Sequence, residues 1–124
     1  MTRRQRTRPV DYVRDRKRWT GLIEAARAVI AAPPVGANET LARAAMQART
    51  SWNPPFPYPT NLSCAAFTGL LLYFARESHP ERRREIAPAL RSAADLLDRL
   101  IATAELARTT ATPRKGGWLP YADD

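Results

Sequence analysis

The sequence predicts an all-α fold: a small antiparallel bundle of about four helices with a basic N-terminal arm, a Pro/aromatic loop between helices and an irregular C-terminal tail. Apolar residues recur every three or four positions in several segments, which is the period of one helix face. Eleven prolines, mostly in clusters, separate these segments. Strand-like alternation is confined to short fragments. Antiparallel helices that bury their apolar faces together are therefore the expected architecture.

The first helix is predicted to begin at about Val10 and to end at Pro33-Pro34. Its apolar face consists of Tyr12, Val13, Trp19, Leu22, Ile23, Ala26, Val29 and Ile30. Gly21 costs this helix up to about 1 kcal/mol relative to alanine. We therefore expect a kink or break near Thr20-Gly21.

Two shorter helices are predicted next. Asn38 is a good N-cap for a second helix that ends near Ser51. Its thin apolar face consists of Leu41, Ala44, Ala45 and Ala48. A third helix is expected to begin at Thr60 or Asn61 and to run to about Glu77. Because it is apolar nearly all round, we expect it to be the most buried helix.

The longest apolar stripe follows Pro80. It consists of Ile86, Leu90, Ala93, Leu97, Leu100, Ala104 and Ala107, widened by Ala89, Leu96 and Ile101. Pro88 lies inside this pattern, and a proline costs a continuous helix about 3 kcal/mol. The prediction is a short helix at 80–86 and a long one at about 87–108, with a single kinked helix as the alternative.

The outer face of this last helix carries charges at helical spacing. Arg91, Asp95 and Arg99 are four residues apart and predict an ion-pair ladder along the surface. Glu24 in the first helix could also face Asp95 or Asp98, but the ladder already accounts for these carboxylates.

Charge divides the chain into an arm and a body. Residues 1–18 hold eight basic and two acidic side chains, a net charge of +6, whereas residues 19–124 hold twelve and ten, a net charge of +2. We expect a flexible basic arm at 1–9, a single helical domain at 10–108 and a flexible tail at 109–124. The 18 arginines against 2 lysines, with many alanines, indicate a bacterial, plasmid or phage gene. A cytoplasmic protein without a membrane span is expected.

The basic arm has the strongest functional claim. The residues expected to bind nucleic acid, DNA or RNA, are Arg3, Arg4, Arg6, Arg8, Arg14, Lys17 and Arg18. Like charges one helical turn apart repel each other, and a phosphate backbone would relieve that repulsion. Tyr12 and Trp19 could stack on exposed bases, or could instead pack in the core. An accessory or regulatory role is the first hypothesis. The arginines could instead be simply solvated, and an acidic protein or a membrane surface is a further, lower-ranked alternative.

The alternative is a protein–protein adaptor or complex subunit. Residues 52–60 contain four prolines, which favour an extended backbone, and the tail ends in an aromatic segment after Gly116-Gly117. The side chains expected to contact a partner are Trp52, Phe56, Tyr58, Trp118 and Tyr121. The structural alternative to partner binding is that the aromatic side chains of the loop pack over the end of the bundle.

A small-ligand-binding protein or an enzyme is the third hypothesis. His79 is the only histidine and Cys64 the only cysteine, so a Cys64–His79 pair is the one nucleophile and base available. Glu81 and Glu85 lie near His79, but arginines 82–84 crowd them, which favours surface ion pairs over a metal site. No cofactor, metal or catalytic residue is assigned.

Overall fold

The computed structural model describes residues 12–55 and 61–110, which form four helices. They are α1 (Tyr12–Ala31), α2 (Glu39–Ser51), α3 (Asn61–Arg76) and α4 (Pro80–Thr110). No strand occurs among the described residues, and the predicted all-α class is confirmed. The expected basic arm at 1–9 lies outside the described residues. The tail is predicted to begin at residue 109, but Thr109 and Thr110 belong to α4, and the rest of it lies outside the described residues.

Contacts between helix ends establish the antiparallel bundle. The start of α1 meets the end of α4, where the Tyr12 hydroxyl donates to Glu105 Oε1 at 2.9 Å. The start of α2 meets the end of α3, where the Asn38 amide donates to the Ala75 carbonyl at 2.6 Å. The predicted N-cap is also confirmed, because Asn38 Oδ1 accepts from the Leu41 amide at 3.1 Å.

Large apolar side chains from α1, α3 and α4 fill the core. Its largest fully buried apolar members are Trp19, Ile23, Phe67, Leu71, Leu90 and Leu97. Each such side chain contributes roughly 1.5–3 kcal/mol when it leaves water. The third helix has the largest buried share of the four, as predicted, although Leu62 and Tyr73 are exposed.

α1 and α2 contact each other much less than α2 and α3 do, and a groove remains between them. The groove has a volume of about 590 Å³. It is lined by Ala25, Ala28, Val29, Asn38, Thr40, Leu41 and Ala44. Alanines on both helices leave this space because they are too small to fill it.

α1 is continuous, so the expected break near Thr20-Gly21 does not occur. Gly21 is exposed, and a Cβ atom there would meet nothing within 4 Å. The Thr20 hydroxyl donates back to the Arg16 carbonyl at 2.8 Å, which satisfies it within the helix. Packing of the flanking residues Trp19 and Leu22 outweighs the helix propensity of one glycine.

α4 also runs unbroken through Pro88 for 31 residues, so the predicted division at residue 86 is wrong and a single helix is found. Pro88 is exposed. Water can therefore bond to the Arg84 carbonyl, which lacks the amide donor that any other residue at position 88 would provide.

The predicted apolar stripe of α4 is only partly buried. Leu90, Leu97, Ile101 and Ala104 are buried as expected, and Ala94 is buried in addition. Ala89, Leu96 and Ala107 are exposed. The stripe is displaced because α4 packs against α3 and α1 together, which centres its buried face between the two neighbours.

The predicted ladder along α4 is wrong, because Asp95 pairs with a residue of α1. Arg27 donates to Asp95 Oδ1 at 2.7 Å and to Asp98 Oδ2 at 3.1 Å. The hydrogen bond to Asp95 is the main reason that the pKa of Arg27 is raised. The three side chains are 40–49 % exposed, so the pairs guide the approach of α1 and α4 more than they stabilise it.

Candidate functional site

One end of the bundle collects most of the positive charge. This end, called the basic end below, comprises residues 12–19 of α1, 46–55 at the end of α2, 61–68 of α3 and 104–110 of α4. Its cations are Arg14, Arg16, Lys17, Arg18, Arg49 and Arg108, and its anions are Asp15 and Glu105. Six against two gives +4, whereas the remaining described residues hold eight arginines and seven carboxylates, which gives +1. The expected basic arm precedes α1 in the sequence.

Three of the predicted nucleic-acid-binding residues lie on the exposed face of α1. Arg14, Lys17 and Arg18 are exposed, and Lys17 and Arg18 both lie about one helical turn after Arg14. Arg14 Nε lies 3.6 Å from Oδ1 of the buried Asp15, and the Arg18 guanidinium lies 5.6 Å from the centre of the Trp52 ring. The other four predicted residues, Arg3, Arg4, Arg6 and Arg8, lie outside the described residues.

Tyr12 and Trp19 are buried, which corrects the expectation that they could stack on bases. The Arg108 guanidinium covers the Tyr12 ring at 3.9 Å from its centre. Burial, together with the hydrogen bond to Glu105, raises the pKa of Tyr12 to about 12. Both rings therefore support the basic end from inside, in agreement with the alternative that they pack in the core.

Asn53 ties the segment after α2 to α1. The Trp19 indole N–H donates to the Asn53 carbonyl at 2.8 Å, and the Asn53 side-chain amide lies 3.4 Å from Asp15 Oδ2. The Trp19 and Trp52 rings meet edge to face, with centres 5.8 Å apart. These contacts fix Trp52, a predicted partner-binding residue, at the basic end.

A cleft opens beside Trp52. This Trp52 cleft has a volume of about 350 Å³. It is lined by Trp19, Ala48, Arg49, Trp52, Pro54, Asn61, Cys64, Ala65 and Thr68. The other predicted partner-binding residues, Phe56, Tyr58, Trp118 and Tyr121, lie outside the described residues.

Besides Arg16 of α1, sequence reasoning missed two cations of this site that lie on other helices. Arg49 lies in the last turn of α2 and Arg108 in the last turn of α4. Each is an isolated arginine within its own segment. The only sequence signal was the even number of antiparallel helices, which brings these two helix ends beside the start of α1.

The structure separates the one pair that could have supported nucleophilic catalysis. Cys64 lies in the first turn of α3, and His79 follows the other end of that helix. The helical rise alone from Cys64 to Arg76 is about 18 Å. Burial also raises the pKa of the Cys64 thiol to about 12, so it is protonated at neutral pH.

The cluster expected near His79 is also different from the prediction. Glu81, Arg82, Arg84 and Glu85 are exposed, but Arg83 is buried. Within the described residues, no three histidine, cysteine or carboxylate side chains are grouped so that they could hold a metal ion. No helix in the same part of the chain combines the length and the apolar character that crossing a membrane requires.

Comparison with known proteins identifies no relative: no protein-family model matches the chain, and no curated protein or solved structure is significantly similar to it. The basic end and the Trp52 cleft are therefore the features from which a function is inferred.

Proposed function

We propose that this protein binds nucleic acid, DNA or RNA, through its basic end and the arginine-rich segment that precedes it, in a non-catalytic accessory or regulatory role. The uneven charge carries the proposal. Within the described residues, the basic end holds a net charge of +4 and the rest of the bundle +1. Clustered cations bind phosphate strands because binding releases condensed counterions.

Several cations of the basic end are available to a ligand. Lys17, Arg18 and Arg49 are exposed and form no ion pair with a carboxylate among the described residues. Arg16 is less available, because its Nε lies 3.3 Å from Glu105 Oε1. Arg3, Arg4, Arg6 and Arg8 precede α1 and would extend the same contact along the strand.

Salt dependence provides the test. Binding of labelled single-stranded and duplex oligonucleotides, measured by fluorescence anisotropy between about 50 and 200 mM salt, should weaken steeply as salt rises. The Lys17→Gln/Arg18→Gln variant should lower the slope of log affinity against log salt by roughly 1.4 to 1.8. Deleting residues 2–8, which removes four arginines, should lower it by about 3 to 4.

The matched control is Arg91→Gln/Arg99→Gln, which removes the same charge from exposed positions of α4 that lie outside the basic end. This variant should bind almost as the unmodified protein does. Equal losses in the two double variants would mean that net charge alone drives binding, and would contradict an interface at the basic end. Absence of salt-sensitive binding by the intact protein would contradict the whole proposal.

A protein–protein adaptor is the second candidate, and the groove between α1 and α2 favours it. Its alanines would let the apolar face of a partner helix approach the backbone closely. In that case Ala28→Glu, an exposed position in the groove, should abolish capture of the partner and leave nucleic-acid binding unchanged.

A further inference from the structure

The walls of the Trp52 cleft come from three helices. Trp19 belongs to α1, Ala48 and Arg49 to the end of α2, and Cys64 and Thr68 to α3. A volume of about 350 Å³ lies at the lower end of the roughly 300–1,000 Å³ of small-molecule sites. The cleft is thus large enough for one flat heterocyclic ring but not for a protein element.

The Trp52 indole N–H is buried and has no hydrogen-bond acceptor among the residues that the structure describes. The indole N–H of Trp19, by contrast, donates to the Asn53 carbonyl. The buried hydroxyl of Thr68, another wall residue, is satisfied by the Cys64 carbonyl at 2.9 Å. A buried donor without a partner is unfavourable, and an acceptor atom of a bound ligand could pair with it.

Cations border the same cleft. Arg49 is one of its lining residues, and the Arg18 guanidinium lies over the Trp52 ring. The combination is an aromatic and apolar wall, one unmet N–H donor and two guanidinium groups. Nucleobases supply flat rings with acceptor edges, and the phosphates that flank them are anionic.

We propose that the Trp52 cleft receives one unstacked base of a single-stranded nucleic acid, while Arg18 and Arg49 contact the adjoining phosphates. This inference rests on the proposed function and specifies its ligand. Bases in a duplex are stacked and paired, so a single strand, a loop or a frayed end would present its base at lower cost. The protein should accordingly prefer single strands to duplexes of the same length.

Two adjacent alanines allow a sharp test. Ala65 and Ala66 are both exposed on α3, but only Ala65 lines the cleft. Ala65→Leu should fill the cleft, and Ala66→Leu is the matched control with the same change of side chain. Trp52→Phe is a third variant, which retains an aromatic ring and removes the N–H donor. Circular dichroism would establish that all three variants remain folded.

The probes are single strands of about 12 nucleotides, one DNA and one RNA, and an abasic DNA strand of equal length and charge. The intact protein should bind the base-containing strands about tenfold more tightly than the abasic strand. Ala65→Leu should remove that difference and Trp52→Phe should reduce it, whereas Ala66→Leu should preserve it. The DNA and RNA arms decide which strand is preferred.

Equal affinity of the intact protein for base-containing and abasic strands would overturn the base site and leave the proposed charge-driven binding standing. Unchanged discrimination in Ala65→Leu would overturn it as well. Failure of the intact protein to bind any of these strands, or a duplex of the same length, would instead refute the proposed function. Binding to the duplex alone would overturn the base site and leave the proposed function standing, so the two failures are distinguishable.

Discussion

The guanidinium of Arg83, in the first turn of α4, closes the end of α3 at Phe74. Its Nη1 donates to the Phe74 carbonyl at 2.7 Å and to the Glu77 carbonyl at 3.1 Å. Its Cζ lies 4.3 Å from the centre of the Phe74 ring. Only 2 % of Arg83 is exposed, so this cation is stabilised by backbone carbonyls and an aromatic face.

Replacing Arg83 should therefore be costly. Arg83→Ala leaves two carbonyls at the end of α3 without their charged donor and opens space beside Phe74, so we expect a loss of about 3 kcal/mol in the free energy of unfolding. Urea denaturation would measure it. The exposed neighbour Arg82→Ala should change stability by less than about 0.5 kcal/mol. Similar effects of the two substitutions would contradict the buried position of Arg83.

Gly21→Ala should stabilise the protein by up to about 1 kcal/mol. The position is exposed, lies inside a continuous helix and offers room for a Cβ atom. Ala102→Gly, at an exposed position of α4, should destabilise the protein by a similar amount. Thermal denaturation of both variants would test this. A destabilising Gly21→Ala would indicate that α1 needs a bend there.

Tyr12 should make stability depend on alkaline pH. Its pKa rises from about 10 in the unfolded chain to about 12 in the folded protein, chiefly through burial. The uncharged phenol is thus favoured by folding, and this stabilisation is complete below about pH 10 and is lost as pH rises towards 12. Urea denaturation across this range should show a steeper decline for the protein than for Tyr12→Phe. Parallel curves would contradict the raised pKa.

Mutagenesis can distinguish the ion pair of Asp95 with Arg27 from the predicted pairing of Asp95 with Arg91 along α4. A double-mutant cycle with Arg27→Ala and Asp95→Ala should give a coupling energy of about 0.2 to 1 kcal/mol, since the pair is half exposed. The cycle with Arg91→Ala and Asp95→Ala should give about zero. The opposite order would restore the ladder along α4.

Local signals predicted the helices well, because each depends on neighbouring residues. The Asn38 cap and the helix stop before Pro33-Pro34 are both as expected. The effect of a single glycine or proline was overestimated. Gly21 and Pro88 both lie inside continuous helices, because the neighbouring residues of each helix pack in the core.

Features that depend on how the helices pack against one another could not be predicted from local sequence patterns. Asp95 could pair along its own helix or across to α1, and spacing alone favoured the wrong choice. Similarly, the Trp52 cleft joins side chains of α1, α2 and α3, and nothing local marks Arg49 or Ala65 as its neighbours. The basic character was visible in residues 1–18, but its extension to Arg49 and Arg108 required the fold.

An even number of antiparallel helices brings Tyr12 and Thr110 to the same end of the bundle. The eleven residues that precede Tyr12 are therefore joined to the protein at the end of the bundle that holds the Trp52 cleft. A strand held by the arginines of that segment would meet the cleft at the effective concentration of an intramolecular reaction, which reaches millimolar values for short linkers. Contacts too weak to retain a strand singly would then act together as avidity.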